Sequence, residues 1–329
     1  MPLSRHIYHF LTASMLCCLC IGCGKNTDTK TLFLAHTLPT SHPVHQGMVA
    51  FQEILAEQSQ GKLVVRIFPD GQLGNERELL ELLQIGSVAM TKVSAAAMAS
   101  FAPAYEVLGI PYLFRDKTHL FNALEGDVGE DMLDSSRDFW LQGLCFYDAG
   151  SRSFYTKEKP VRSPDDLTGL KIRVMNHQMS VEMVNAMGGS ATPMSYGELY
   201  TALQQGVVDG AENNPPSFVS SNHFEVCKYY SLDEHTSIPD VLVIGTKFWN
   251  KLSPQEQKWV KGSAMLSVEK QKQYWAESVT ECMEILTAAG VEIIRPEKNV
   301  FAQKTQSIVD RMSKDPKMKT IIDAIQTDY

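Results

Sequence analysis

The sequence predicts an α/β protein of two lobes, in which mixed sheets are flanked by helices and one long helix spans both lobes. The chain has 329 residues, a length that favours two domains over one. Strand-like apolar runs alternate with helical runs, the pattern of sheets covered by helices. Between Ser253 and Gly290 the signals for one helix extend over roughly 35 residues, or about 50 Å. A helix of that length is best placed across two domains.

Residues 31–93 alternate strands with helices. Short apolar or β-branched runs predict strands over residues 31–35, 62–68 and 88–93. Helices are predicted to begin at Pro43 and after Asn75, which is a good capping residue. Ligands bind outside the carboxyl ends of the strands in mostly parallel sheets. His36, Glu76 and Ser94 lie just past or between such ends, so we predict that they contact a ligand.

A second set of strand and helix signals begins at Gly150. Strands are predicted over residues 152–156 and 170–174, and helices near residues 181–187 and 196–204. The apolar run from Asp240 to Thr246 predicts one more strand, which we expect to return the chain to the first lobe. A strand over residues 291–294 and one or two helices after Val300 are predicted to complete the chain.

The long helix has a clear start in the sequence. Ser253 and Glu256 have the spacing of a capping box, and Pro254 occupies the first helical position. Gly290 suits the position that follows the last turn. The apolar residues between these signals do not keep a heptad repeat for long, so the pattern favours a rod across two lobes over a coiled coil.

Two arginines stand in strand-like, apolar surroundings rather than in a surface charge run. Arg173 belongs to the alternating stretch from Gly169 to Asn176, whose other face is apolar, and Arg152 lies upstream in a similar context. A guanidinium in such surroundings is costly unless it meets an anion. The amides of Asn213 and Asn214 are expected to face the same place. The set predicts a site for a carboxylate and hydroxyl groups.

Some of these residues also have purely structural explanations. Arg152 and Arg173 can instead form structural ion pairs with Glu182 or Asp148. Glu76 can act only as the acidic residue that a helix N-terminus favours. These alternatives remain open from the sequence alone.

The composition argues against several classes of function. The net charge is −8 and the sequence has no basic stripe with interleaved aromatic residues, so a nucleic-acid surface is not expected. We find no zinc-protease motif, nucleophile elbow or phosphate loop in the sequence, and no cofactor is predicted. An exported lyase or hydrolase that abstracts a proton beside a carboxylate is the enzyme alternative.

The N-terminal segment has the features of an export signal. An apolar run of about a dozen residues follows Arg5 and His6, which suits a signal peptide over residues 1–22 and is too short to span a bilayer. Ile21-Gly22-Cys23 looks like a bacterial lipoprotein cleavage site, with Cys23 as the acylated first residue. Plain signal-peptide cleavage is the alternative. Residues 23–30 are expected to form a polar tether.

The cysteines do not predict a disulfide framework. Several of them lie inside the apolar N-terminal run, which lacks the polar loops of a metal site. Beyond that run only Cys145, Cys227 and Cys282 remain, an odd number at wide spacing. We expect buried or partly buried thiols, and one disulfide of unassigned pairing stays open.

Several short stretches follow one another in a characteristic order and spacing. They are Leu73 to Arg77, Ile110 to Tyr112, Arg152, Leu170 to Asn176, Thr192 to Met194, Leu203 to Gly210, and Glu212 to Asn213. Together they resemble the solute-binding proteins of tripartite ATP-independent periplasmic (TRAP) transporters, over nearly all of the chain beyond the export signal. The resemblance implies a periplasmic binding protein fold, with two α/β lobes joined by crossing strands and by a long helix.

The resemblance also implies roles for individual residues. It assigns the grip on the ligand carboxylate to Arg173 and a further ligand contact to Asn213. Other residues that match positions lining the cleft of the family are Arg152, Asn176, Tyr196 and Glu76. A tyrosine at position 196 suits a core as well as a binding surface, so its role stays open.

Two longer stretches, residues 147–156 and 209–218, resemble the branch of the family that binds hexuronates such as D-glucuronate and D-galacturonate. A hexuronate offers one carboxylate to the arginines and a ring of hydroxyls to polar side chains. We expect those side chains to be Glu76, His36, Asn213 and Asn214, although an asparagine before proline is also common in turns. Lys92 stands where many members of the branch are expected to have arginine, at one end of the sugar.

The resemblance implies a binding protein of the periplasm that performs no chemistry. Its partners are a small sugar acid and the integral-membrane subunits of a TRAP transporter, with further membrane contact through the lipid anchor. A sensory receptor domain for the same ligand is the alternative. Lobe I is predicted to comprise residues 31–149 and 239–276, and lobe II residues 150–238 and 277–329.

Overall fold

The computed structural model describes residues 29–329. The predicted signal peptide over residues 1–22, the predicted lipidation residue Cys23 and most of the predicted tether lie outside this range. Within the described range, no helix combines the length and the apolar character that crossing a bilayer requires.

The strands are β1 (Lys30–Ala35), β2 (Leu63–Phe68), β3 (Met90–Ser94), β4 (Leu141–Tyr147), β5 (Arg152–Thr156), β6 (Lys171–Val174), β7 (Ser190–Pro193), β8 (Gly210–Asn213), β9 (Tyr229–Thr236), β10 (Asp240–Gly245) and β11 (Glu292–Ile294). The α-helices are α1 (Pro43–Gln58), α2 (Glu76–Ile85), α3 (Ala95–Ala99), α4 (Lys117–Glu125), α5 (Asp127–Ser135), α6 (Gln178–Ala186), α7 (Leu199–Gln204), α8 (Pro215–Ser220), α9 (Thr246–Trp249), α10 (Pro254–Ala288), α11 (Lys298–Met312) and α12 (Pro316–Asp328). Short 3-10 helices cover Pro103–Gly109, Ser136–Phe139, Pro164–Leu167, Tyr196–Glu198 and His223–Glu225.

The first sheet has the strand order β2-β1-β3-β10-β4. β1 is parallel to β2 and β3, whereas β10 is antiparallel to both of its neighbours. β10 thus returns the chain to this sheet, as the apolar run from Asp240 predicts. Asp240 pairs with Ser94 on one side and with Tyr147 on the other. The start of β10 therefore lies beside the carboxyl ends of β3 and β4.

The second sheet has the strand order β11-β9-β5-β8-β6-β7. β6 is parallel to β7 and β8, while β5 is antiparallel to β8 and β9. Arg173 on β6 is in register with Thr192 and Ala211, and Ser153 on β5 is in register with Asn213. Both sheets are mixed and flanked by helices, which confirms the predicted fold class.

The long helix α10 contains 35 residues, from Pro254 to Ala288. The Ser253 side chain accepts from the Glu256 amide and Glu256 accepts from the Ser253 amide, so the predicted capping box is present. α10 packs against α1 and β4 of the first sheet's layer and against α8 of the second. The prediction of one helix spanning both lobes is confirmed.

Besides the long helix, two segments connect the sheets, one between β4 and β5 and the other between β9 and β10. They lie side by side, since the Ser151 and Ser237 hydroxyl oxygens are 3.1 Å apart. Gln271 on α10 holds the first segment through two hydrogen bonds of 2.8 Å to the backbone of Asp148. The long helix is therefore fixed to the chain at the point where it crosses between the sheets.

The C-terminal helices pack on different parts of the molecule. α11 contacts β9 and α6, whereas α12 contacts α5 and the 3-10 helix Pro103–Gly109. The division into lobes by residue number stays a prediction, and these contacts show that the last helix touches residues before 149. Cys145, Cys227 and Cys282 are buried free thiols.

Candidate functional site

A cavity of about 470 Å³ lies between the two sheets, beside the ends of β3, β6 and β8. Its volume suits a small molecule. All of the predicted ligand-binding residues except His36 lie on its lining: Glu76, Lys92, Ser94, Arg152, Arg173, Asn176, Tyr196, Asn213 and Asn214. The structure therefore brings together residues that are far apart in the sequence.

Arg173 is buried on β6, with 2% of its surface exposed. Its Nε and Nη2 donate to the Met194 carbonyl at 3.0 and 2.8 Å. Its guanidinium carbon lies 5.8 Å from the centre of the Tyr196 ring. Nη1 is buried without a hydrogen-bond partner among residues 29–329. One nitrogen of this guanidinium, on a residue that lines the cavity, is therefore left without a partner among the described residues.

The carboxylates considered as structural partners of Arg173 are engaged elsewhere. Glu182 pairs with Arg311, and Oδ2 of Asp148 lies 2.5 Å from Nζ of Lys117. Burial lowers the pKa of Arg173, although the carboxylate of Glu212 acts in the opposite direction. Arginine nevertheless stays charged in proteins. A buried guanidinium without a paired carboxylate is costly, and an anion bound beside it would offset that cost.

Arg152, at the start of β5, has an internal counter-ion that the sequence analysis did not identify. Its Nε and Nη2 donate to the two Glu212 carboxylate oxygens at 2.5 and 3.0 Å. Nη1 donates to Oδ1 of Asn213 at 2.8 Å. Burial acts to lower the pKa of Arg152, but the adjacent Glu212 carboxylate raises it overall. Arg152 therefore holds Glu212 and orients Asn213 at the cavity wall.

A buried row of charges continues behind Arg152. Nε2 of His235 lies 3.4 Å from Glu212, and Nδ1 lies 2.8 Å from Asp233. Burial acts to lower the pKa of His235, yet Asp233 and Glu212 raise it to about 9. Burial acts to raise the pKa of Glu212, while Arg152 and His235 hold it at about 2. Two cations and two anions thus alternate inside the second sheet.

Asn213 and Asn214 differ in the groups that they present. Oδ1 of Asn213 accepts from Arg152 and from the Asn214 amide, which leaves its Nδ2 as the donor for a ligand. Asn214 is the N-cap of α8, where its Oδ1 accepts from the Ser217 amide at 2.8 Å. Its Nδ2 donates to the Ala149 carbonyl at 3.0 Å. Asn214 lines the cavity, but its amide serves the fold.

The opposite wall of the cavity carries Lys92, Glu76 and Asp240. Lys92 is 2% exposed, and its Nζ lies 3.4 Å from Glu76 and 3.3 Å from Asp240. The Ser94 amide donates to the same Glu76 oxygen at 3.0 Å. Burial acts to lower the pKa of Lys92, but Asp240 and Glu76 raise it overall. Burial raises the pKa of Asp240, an effect that Lys92 opposes.

The remaining predicted residues complete the lining. The Tyr196 hydroxyl lies 2.6 Å from the Ser221 hydroxyl, so its ring is held beside Arg173. Asn176 follows β6 and is exposed at the cavity rim. Ser94 on the first sheet lies 3.6 Å from the Met175 sulfur on the other side, measured from its hydroxyl oxygen. This contact shows that the two walls face each other closely.

His36 is fully buried outside the cavity lining, unlike the other predicted residues. Its Nδ1 accepts from the Leu38 amide at 3.1 Å, and its Nε2 lies 3.0 Å from Nδ1 of His45. Burial lowers its pKa to about 2, with a further contribution from Lys92. Both ring nitrogens are occupied, so His36 supports the loop after β1.

The sequence of residues 34–315 matches the family described as bacterial extracellular solute-binding protein, family 7. The chain belongs to this family. A solute-binding protein of Chromohalobacter salexigens is 34% identical over 290 residues, which cover 88% of this chain and 86% of that protein.

Two solved TRAP periplasmic solute-binding proteins share the fold of this family 7 protein. The protein from Xanthobacter autotrophicus, with bound β-D-galacturonate, is 36% identical with a TM-score of 0.87, covering 89% of this chain and 98% of that one. The protein from Pseudomonas putida, with bound D-glucuronate, is 38% identical with a TM-score of 0.85, covering 89% and 96%.

Sequence reasoning missed three residues at or behind the cavity of this solute-binding protein. Asp240 opens an otherwise apolar strand, and that polar start was the available signal. Glu212 stands beside Asn213, in a stretch already singled out. His42, which lines the cavity, precedes the proline that begins α1, and its Nδ1 caps the helix by accepting from Val44. Within residues 29–329, no group of three or more His, Cys, Asp or Glu side chains is placed to hold a metal ion.

Proposed function

We propose that this protein captures a hexuronate, such as D-glucuronate or D-galacturonate, and delivers it to the membrane subunits of a TRAP transporter. The observation that carries the proposal is the buried Nη1 of Arg173, which has no partner in the described residues and belongs to a residue that lines the cavity. Solved relatives with bound galacturonate and glucuronate support the same ligand class.

In the proposed complex, the ligand carboxylate binds the open edge of Arg173. Guanidinium and carboxylate form short charge-assisted hydrogen bonds in a fixed plane. The sugar hydroxyls face Nδ2 of Asn213 and the opposite wall, where Glu76 and Asp240 accept and Lys92 donates. The ring face of Tyr196 packs beside the carboxylate end. Arg152 acts through Asn213 and contributes less to the ligand than Arg173.

In the proposed function, the protein binds its ligand and leaves it chemically unchanged. Ligand contacts with both walls favour the closed arrangement of the lobes, and the partner subunits recognise that population. Calorimetry with D-glucuronate and D-galacturonate tests the binding, and chromatography of the recovered sugar tests for conversion. We expect one hexuronate per chain and full recovery. Binding of neutral hexoses with equal affinity would refute the proposal, and a converted sugar would point to an enzyme.

We also propose that the protein works in the periplasm, anchored to a membrane through a lipid on Cys23. The motif at residues 21–23 supports this part of the proposal. Cys23→Ser should release the protein into the soluble periplasmic fraction and leave hexuronate affinity unchanged. Fractionation followed by immunoblotting measures the release, and membrane retention of the variant contradicts the anchor.

A further inference from the structure

The cations that line the cavity differ in whether their charge is already balanced. Arg152 is paired with Glu212, and Lys92 is paired with both Glu76 and Asp240. Arg173 donates only to a backbone carbonyl among the described residues and keeps a buried N–H without a partner. A ligand carboxylate therefore finds an uncompensated buried cation on the Arg173 wall but not on the Lys92 wall.

The Lys92 wall carries more carboxylates than cations. One ammonium lies between two carboxylates, at 3.4 and 3.3 Å. Carboxylate oxygens accept hydrogen bonds from hydroxyls, and the ammonium can donate to a hydroxyl oxygen. A second ligand carboxylate at this wall would instead meet two like charges in a poorly solvated place, which is strongly unfavourable.

The charged residues at the rim do not change this balance. Arg77 also lines the cavity, but its side chain is 69% exposed and its Nε lies 3.1 Å from Glu81. Asp70 and Glu198 are exposed residues of the lining, and both add negative charge. Solvent weakens the effect of all three at the rim.

We infer that Glu76 and Asp240 make the site selective for sugar acids with a single carboxylate and reject aldarates, which carry a carboxylate at each end. The inference rests on the proposed capture of a sugar acid and adds a specificity role for this wall. Arg173 selects for one carboxylate, and the acidic wall selects against the second. Specificity of this kind needs a repulsive element as well as an attractive one.

The test compares ligands that are matched in shape. D-gluconate and D-glucarate are both open-chain sugar acids, with one and two carboxylates respectively. Calorimetry on the full chain should show D-glucarate binding weaker than D-gluconate by on the order of 100-fold or more. D-glucuronate measured in parallel reports the proposed function separately. If the protein does not bind D-glucuronate but still prefers D-gluconate to D-glucarate, only the proposed function is refuted. If it binds D-glucuronate tightly but does not prefer D-gluconate to D-glucarate, only this inference is refuted.

The variants Asp240→Asn and Glu76→Gln remove one charge each and keep the side-chain shape. Gln at position 76 keeps an acceptor for the Ser94 amide. Each variant should bring D-glucarate affinity closer to that of D-gluconate by about 10-fold or more. Asp70→Asn is the matched control, because it removes an exposed carboxylate from the same lining and should leave the ratio unchanged.

Three results would overturn the inference. The first is equal binding of D-gluconate and D-glucarate by the unmutated protein. The second is a ratio of D-gluconate to D-glucarate affinity that neither Asp240→Asn nor Glu76→Gln changes. Failure of both variants to bind either open-chain acid counts as the same result. The third is an equal change of the ratio in Asp70→Asn. A change of this ratio that occurs only in Asp240→Asn and Glu76→Gln supports the inference. Thermal melting establishes that each variant is folded.

Discussion

At the scale of single residues, Arg173 and Arg152 show that two buried guanidinium groups can have different roles. Arg152 is neutralised within the chain by Glu212, whereas Arg173 donates only to the Met194 carbonyl among the described residues. Burying a charge without a counter-ion costs free energy, and a ligand carboxylate can offset that cost. In the proposed complex the ligand completes the environment of Arg173, while that of Arg152 is already complete within the chain.

Arg173→Ala and Arg173→Lys should both lose tight hexuronate binding. Alanine removes the main partner of a desolvated carboxylate, a loss on the order of 2–5 kcal/mol in binding free energy. Lysine keeps the charge but not the planar pair of donors, so it should restore little of the affinity. Calorimetry with D-glucuronate and the neutral sugar D-glucose measures the effect. Unmutated-like uronate binding by Arg173→Lys would make Arg173 a structural residue.

Arg152→Met should destabilise the free protein more than Arg173→Met does. Removing Arg152 leaves the Glu212 carboxylate buried without its main counter-ion, which costs on the order of 3–5 kcal/mol. Removing Arg173 takes away a buried charge that lacks an ion-pair partner in the described chain, so the free protein should keep its stability. Urea unfolding measures both variants without ligand. Equal losses of unfolding free energy in the two variants would argue that Arg152 and Arg173 have similar environments. Adding Glu212→Gln to Arg152→Met should recover part of the loss, because it removes the unpaired carboxylate.

At the scale of elements, the sequence predicts those that carry local signals. β6 follows from its alternation, and α10 from its capping box and its terminal glycine. β4 was not predicted, because Gln142 and Gly143 interrupt its apolar run and its residues do not alternate. β8 has four residues, too few for a periodic signal.

The sequence predicts single residues of the candidate site, but not the contacts between them. Arg173 is recognisable from the alternation of its own strand, and Asn213 from the stretch Glu212 to Asn213 that carries the family resemblance. The pairing of Arg152 with Glu212 depends on β5 lying beside β8, and that of Lys92 with Asp240 on β10 lying beside β3. His36 follows a strand end as expected, but His45 on α1 occupies its ring. Strand order and side-chain partners are long-range facts that no local pattern contains.

His235 on β9 should make the stability of the protein depend on pH. Its pKa is about 9 in the fold, against an ordinary value of 6.5. Its stabilisation is therefore complete below pH 6.5 and is lost as the pH rises through 9, a change on the order of 3 kcal/mol at most. Urea unfolding at about pH 6 and about pH 10 should show a smaller fall in stability for His235→Gln than for the unmutated protein. Identical pH profiles would contradict the role given to this histidine.

At the scale of the whole molecule, Gly150 lies where the chain passes from the first sheet to the second. It adopts φ +58°, and a Cβ at this position would lie 2.9 Å from Cζ2 of Trp275 on α10. Only glycine meets both conditions without strain. The crossing segment can therefore lie directly on the long helix.

Gly150→Ala should destabilise the protein more than Gly169→Ala. Gly169 also has a positive φ, +81°, but a Cβ there meets no described atom within 4 Å. Gly169→Ala should therefore cost about 1 kcal/mol from the backbone alone. Gly150→Ala adds the contact with Trp275, and Trp275→Leu should relieve part of that excess. Thermal unfolding of the variants measures the difference. Equal losses of stability in Gly150→Ala and Gly169→Ala would show that α10 shifts to accommodate the added Cβ at no cost in free energy.

The position of β10 has a consequence for the order of folding. β3 and β4 are not neighbours, and β10 joins them only after the chain has passed through most of the second sheet. The first sheet thus depends on contacts between distant parts of the chain, and such contacts slow folding. A truncated chain ending before Asp240 would leave β3 and β4 with unpaired backbone edges facing a gap. Completion of the first sheet therefore waits for synthesis of a strand that follows most of the second sheet.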